Sequence, residues 1–336
     1  MPGVTADLHI LYYFPAPWGG AEHRIYELFH MLRDRADVLV WSPCDVHDAV
    51  KRQVPVQVID PDSGHYPRGG NLLIVGGFFP IGDWIAGSSF RRVLLLHNSP
   101  YHRKFNRTVR FLESRVPNEI ELEFASEWLM REHGAKSGRR QISVVDLGRF
   151  TPAPERKADQ FVVGRHSRDT KEKHHLASLN TYKRLAKDGI EIKILGGTIL
   201  SVRLKPNPLI SLLPVNSVEP NKFLKQIDCF YYRTSYSFPE AHSRSVTEAM
   251  LSGIPVVAHR RGGYVDFIEH GKSGFLYATE GAAYRYVRAL KEDRSLAREL
   301  GRQGRERILE VLGPSAKEEL AEHLLRHGPE SPANQR

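Results

Sequence analysis

Short apolar, β-branched runs alternate with polar stretches along this chain, and the runs fall into two series. The first series predicts strands at Leu8–Phe14, Val38–Trp41, Val56–Ile59, Leu72–Val75, Val93–Leu96 and Ile142–Val145. Between the first two, Glu22 to Arg33 carries apolar residues at Ile25, Leu28, Phe29 and Leu32, the spacing of an amphipathic helix. The polar stretch Thr151 to Asp159, with prolines at 152 and 154, then reads as a linker. The second series predicts strands at Phe161–Val163, Ile192–Leu195, Leu212–Val215, Cys229–Tyr232 and Pro255–Ala258. Helical patterns cover His175–Lys187, Glu248–Leu251, Ala283–Lys291 and Ser295–Val311. Strands alternating with helices predict parallel sheets with helices on both faces. The chain therefore divides into a first domain, 1–152, a second domain, 153–327, which takes the C-terminal helices, and a frayed tail, 328–336. Two doubly wound α/β domains predict a cleft between them, since ligands of such sheets bind beyond the carboxyl ends of the strands.

Composition narrows this only slightly. The length of 336 residues suits two domains. A net charge of +9 suits an anionic partner: a phosphorylated substrate, an anionic membrane face or nucleic acid. Cys44 and Cys229 show no metal or redox spacing, which excludes a disulfide framework and fits a reducing compartment. Met1 to Asp7 lacks the basic region of a signal peptide, and the most apolar stretch, Leu72 to Gly87, is too interrupted to span a bilayer. The expectation is a cytoplasmic protein, with peripheral contact to the inner face of a membrane left open.

Chemistry concentrates in Ser237 to Gly263, which reads loop, helix, turn, strand and glycine loop. Ser245 and Glu248 form a capping-box pair, which predicts a helix starting at Ser245. The free N–H groups and dipole of that helix, with His242, Ser243, Arg244, Ser245 and Val246 around its start, offer an anion site suited to a diphosphate. Glu240, on the loop before it, can accept bonds from neighbouring sugar hydroxyls. Glu248 lies within reach of a ribose diol, although it also reads as a capping partner alone. Upstream, Gly164 and Arg165 end a strand and Lys171 follows in a loop. Two cations there can neutralise a diphosphate leaving group. Lys173 is an alternative for the lysine role, and Arg168 reads as a surface residue.

In the first domain, Gly19 and Gly20 open a helix after the first strand and let a ligand approach the backbone. His97 ends a strand and reads either as a catalytic group or as a satisfied structural histidine. His102, Arg103, Lys104, Arg107 and Arg110, interleaved with Tyr101 and Phe105, read as a contact for an anionic acceptor, as a phospholipid contact, or as an exposed helix face.

The full string resembles the Glu-x7-Glu signature of family 4 retaining glycosyltransferases. Its carriers are Glu240, Glu248-Ala249-Met250, Ser252-Gly253, Pro255 to Ala258, Gly262-Gly263, Asp266 and Gly271 to Gly274, with Gly164-Arg165, Lys171 and Gly19-Gly20 as supporting matches. The resemblance implies a GT-B architecture, two Rossmann-like domains facing a cleft. It implies transfer of a sugar, with retention, from a nucleoside diphosphate sugar to a saccharide or lipid-linked acceptor in glycan, polysaccharide or glycolipid biosynthesis. Glu240, Arg165, Lys171 and His97 then become the catalytic candidates. Gly19, Gly20, Gly164, His242, Ser243, Arg244, Ser245, Val246 and Glu248 become the donor-binding ones. No cofactor is implied beyond the sugar nucleotide itself. No Asp-x-Asp pair lies in a suitable setting, so an obligatory metal is not expected, while Mg2+ riding on the diphosphate is compatible. The chain departs from the family at His242 and Ser243, where an aromatic residue and Gly are usual, and in the shortened junction Val144 to Pro152. Two other readings stay open: a sugar-nucleotide 2-epimerase of the same fold, and a basic protein that binds or modifies nucleic acid.

Overall fold

The structure is a computed structural model that describes residues 3–152 and 160–327. Most of the expected linker and the whole of the expected tail, 328–336, lie outside the described residues. The chain forms two compact units, Met1–Val145 with Pro314–Arg336, and Asp146–Gly313.

In the first unit the chain runs β1 (Val4–Thr5), β2 (Leu8–Leu11), α1 (Gly20–Leu32), β3 (Val38–Ser42), α2 (Asp48–Lys51), β4 (Val56–Val58), β5 (Pro67–Arg68) and β6 (Asn71–Val75). It continues through β7 (Arg92–His97), α3 (His102–Glu113), β8 (Ile120–Phe124), α4 (Glu127–His133) and β9 (Arg139–Arg140). Seven strands pair in the order β4-β3-β2-β6-β7-β8-β9, all parallel. Leu72–Val75 and Leu94–Leu96 are wholly buried, which is why these central strands read as unbroken apolar runs rather than alternating ones.

The second unit contains β10 (Val162–His166), α5 (Ser178–Lys187), β11 (Glu191–Leu195), β12 (Ile210–Leu213), α6 (Pro220–Leu224) and β13 (Cys229–Tyr232). After these come α7 (Arg244–Leu251), β14 (Val256–His259), β15 (Phe275–Tyr277), α8 (Glu280–Glu292) and α9 (Arg294–Leu312). Its six strands, also all parallel, take the order β12-β11-β10-β13-β14-β15. The sheet grows outward from β10 on one side and β13 on the other. The carboxyl ends of those two strands are therefore the topological switch point, where such sheets hold their ligands.

The last helix, α10 (Pro314–Leu325), belongs to the first unit and not to the second, where the sequence reading placed it. Leu320, Ala321 and Leu324 join the first core. The carbonyls of His323 and Leu324, left over at the helix end, accept from the Arg92 guanidinium at 2.6 Å and the Asn71 amide at 2.8 Å. Strand expectations also change, among them Leu212–Val215, where β12 instead spans Ile210–Leu213. Ile142–Val145 is buried in part but makes no strand, and Arg139–Arg140 pairs with β8 instead. β2 ends at Leu11, and Phe14 turns away with φ 47°. Apolar runs report burial, and burial does not require ladder pairing.

Candidate functional site

At the switch point of the second unit, β10 ends on Arg165 and His166, and β13 ends on Tyr232. Arg165 is 1% exposed. Its Nη1 donates to the Arg233 carbonyl at 2.8 Å and its Nη2 to the Lys173 carbonyl at 2.6 Å, with the guanidinium 4.9 Å from the centre of the Tyr232 ring. Sequence reasoning expected this arginine to face a ligand. In the structure it clamps the backbone of two loops together, those following β10 and β13. A further bond between them runs from the Ser235 amide to the Glu172 carbonyl, 3.0 Å.

That clamp carries Lys173 to Glu240. The Lys173 ammonium lies 2.5 Å from Glu240 Oε1, and the Tyr232 hydroxyl donates to the same oxygen at 2.7 Å. Glu240 is 8% exposed. Burial alone would raise its pKa, but the Lys173 charge and the two donated bonds outweigh burial and hold the carboxyl below its usual range. The Glu240 carbonyl accepts from Gly263 N at 2.8 Å, which ties this loop to the glycine pair after β14. Lys171 begins the same short turn but is exposed and does not reach Glu240 in this arrangement. Of the two lysines the sequence offered, the structure brings Lys173 to the glutamate. Tyr232 was read only as part of an apolar run, and its position as the last residue of β13 was the available signal.

Around α7 the expected capping box does not form. The helix begins at Arg244, with Ser243 as N-cap in the left-handed region at φ 75°, ψ 85°. Glu248 Oε1 instead accepts from Arg244 Nε at 2.8 Å, one turn along the helix. Its other oxygen, Oε2, lies 3.4 Å from His166 Nε2. Burial, then the Arg165 and Arg244 charges, press the His166 pKa down to about 3, so this contact is not an ion pair at neutral pH. Burial also raises the Glu248 pKa against the pull of Arg244. His242 is half-buried and meets Thr247 Oγ1 through Nε2 at 3.2 Å, while Ser245 is half-buried and Val246 buried. The N–H groups of Arg244, Ser245 and Val246 head the helix. Gly164 is a packing glycine: a Cβ there would lie 2.4 Å from Ile227 Cγ2.

Gly19, Gly20 and His97 belong to the first unit. Gly19 caps α1, and a Cβ there would strike the Glu22 carboxylate, whereas Gly20 has open space around it. His97 ends β7, buried and stacked on Phe105 at 4.1 Å, with Nε2 2.9 Å from His102 Nδ1. Burial first, then His102 and His133, lower its pKa to about 3. Arg103, Lys104, Arg107 and Arg110 are exposed along α3, and Phe105 and Leu112 are buried beneath them. Among the described residues no helix is long and apolar enough to cross a membrane, and no group of three His, Cys, Asp or Glu side chains could hold a metal ion.

Residues 150–307, which include the whole Glu240 cluster, match the family model for glycosyl transferases group 1. A search of curated proteins finds no match. Similar solved structures include Anabaena HepE in complex with UDP and glucose, at TM-score 0.72 and 17% identity over 96% of this chain and 99% of that one. A glycosyltransferase from Rickettsia africae matches at TM-score 0.70 and 13% identity, over 96% and 99% of the two chains. Sucrose-phosphate synthase from Thermosynechococcus elongatus matches at TM-score 0.69 and 14% identity, over 94% and 97%. The fold is therefore the two-unit parallel α/β architecture of GT-B glycosyltransferases.

Proposed function

We propose that this chain is a retaining, family 4-type glycosyltransferase that moves a sugar from a nucleoside diphosphate sugar to an acceptor hydroxyl. The observation that carries the reading is the buried carboxylate of Glu240, held at the switch point of a six-stranded parallel sheet, inside a segment that matches the family model. Glu240 accepts bonds from the donor sugar's hydroxyls and positions its anomeric carbon. The N–H groups at the start of α7 and the exposed Lys171 stabilise the diphosphate as charge grows on it. The C1–O bond to phosphate breaks, the acceptor oxygen bonds C1 on the same face, and a departing phosphate oxygen takes the acceptor's proton. No protein nucleophile is needed. Glu248 binds the ribose once Arg244 yields to it. Gly19, Gly20 and His97, on the first unit, serve the donor and acceptor.

The bound UDP and glucose of HepE make UDP-glucose the first donor to try. The acceptor is a saccharide or lipid-linked saccharide in glycan or glycolipid synthesis. The exposed cations of α3 suit an anionic acceptor or the inner face of an anionic membrane from the cytoplasmic side. A sugar nucleotide incubated with the wild-type chain and with Glu240→Ala tests the reading. Mass spectrometry should detect nucleoside diphosphate released by the wild type and none by the variant. Equal release by a folded Glu240→Ala protein would remove Glu240 from the mechanism, and a new sugar nucleotide as the sole product would point to an epimerase.

A further inference from the structure

Within the donor-site reading above, the geometry points to Lys173 as the positioning residue of Glu240: its ammonium, with the Tyr232 hydroxyl, fixes the carboxylate by one oxygen and turns the other toward the donor sugar. Both bonds end on Oε1, at 2.5 Å from Lys173 and 2.7 Å from Tyr232. Among the described residues Oε2 takes no such bond, so it is the oxygen left for a sugar hydroxyl. The Lys173 side chain is only 12% exposed, so the pair is removed from most of the screening that weakens surface ion pairs.

Three features aim the lysine. Arg165 holds the Lys173 carbonyl and the Arg233 carbonyl in one guanidinium fork, which fixes the loop of Lys173 against the loop that leads to Glu240. The bond from Ser235 N to Glu172 O closes the same seam one residue before Lys173. The Phe238 ring, 5.3 Å from the ammonium, packs beside it. Arg165 thus acts on Glu240 through the backbone it clamps, and Lys173 acts on it directly. A carboxylate that is neutral, or free to rotate, presents a different pattern of acceptors to a sugar. The ion pair keeps it charged and in one orientation.

The test uses the full chain, the variants Lys173→Met, Lys173→Arg, Glu240→Gln and the double variant Lys173→Met with Glu240→Gln, and UDP-glucose as the donor probe. In chemical denaturation Lys173→Met strands a buried carboxylate, and Glu240→Gln in the same chain relieves it. The double variant should therefore depart from additivity by about tenfold or more in the unfolding equilibrium. In turnover, read as UDP release, Lys173→Met should lower kcat by about 100-fold with a smaller change in KM. Its acid limb should move to higher pH, since Glu240 then protonates sooner, and Lys173→Arg should recover part of the loss. Additive unfolding energies, or an acid limb that coincides with the wild type, would overturn the proposal. Failure of the glycosyl-transfer reading looks different: no UDP is released by any protein, wild type included, and the unfolding cycle still decides the pair.

Discussion

Ser243 takes φ 75° at the start of α7, a left-handed conformation that a side chain makes unfavourable by about 1–2 kcal/mol. The sequence comparison had already marked this residue, because Ser243 stands where the resembled family has glycine. The backbone supplies the reason: the chain enters α7 through a left-handed N-cap at this position. Ser243→Gly should leave the fold intact and its denaturation midpoint no lower, whereas Ser243→Val, β-branched at a positive φ, should lose more than about 1 kcal/mol. A midpoint for Ser243→Gly well below that of the wild type would show that the serine is held there by its side chain instead. Other residue roles were not legible. Gly164 read as a ligand glycine, yet it makes room for Ile227. The sequence favoured Lys171 with Lys173 as the alternative, whereas the structure brings Lys173 to Glu240; a short turn has no period to say which side chain faces inward.

At the level of elements, the apolar runs of β2, β3, β6, β7, β10, β13 and β14 announced themselves because buried parallel strands are apolar on both faces. β8 did not, because Glu121 and Glu123 interrupt it. Those charges are structural: Glu121 receives Arg92 Nε and Nη2, both at 2.6 Å, and Glu123 Oε1 lies 2.5 Å from His323 Nε2 on α10. A strand that builds its own polar contacts with a distant helix alternates apolar and charged residues instead of forming the unbroken apolar run that marks its neighbours, and the same contacts return α10 to the first unit. Leu324→Ala, at a wholly buried position of the first core, should then cost about 2–5 kcal/mol in a denaturant titration. A loss below about 1 kcal/mol would mean that α10 contributes little to that core.

On the scale of the whole molecule, both sheets grow outward from a central pair of strands, and the alternation of strands and helices made this α/β class readable. The acceptor was not readable, because charge alone selects no anion. Buried histidines give the molecule a pH signature. Burial presses His97, His166 and His174 from 6.5 to about 3, and His9 and His259 to about 4. Each contributes stability that is fully present above the unfolded value of 6.5 and is lost as the pH falls toward the folded value. Glu240, also depressed, acts in the same sense at lower pH, while Glu248, raised by burial, acts in the opposite one. The denaturation midpoint should fall steadily between about pH 6.5 and pH 4. A flat profile over that window would mean that these histidines are not held neutral.

On the function proposed above, the switch point of the second unit binds a nucleoside diphosphate sugar. Thermal unfolding of the wild type and Glu240→Gln, with and without UDP-, GDP-, ADP- and TDP-sugars, tests it most directly, since a ligand that binds only the folded chain raises the melting temperature by mass action. Tm should rise with one class of sugar nucleotide, and rise less in Glu240→Gln. No rise with any of them, in a protein that unfolds cooperatively, would contradict it.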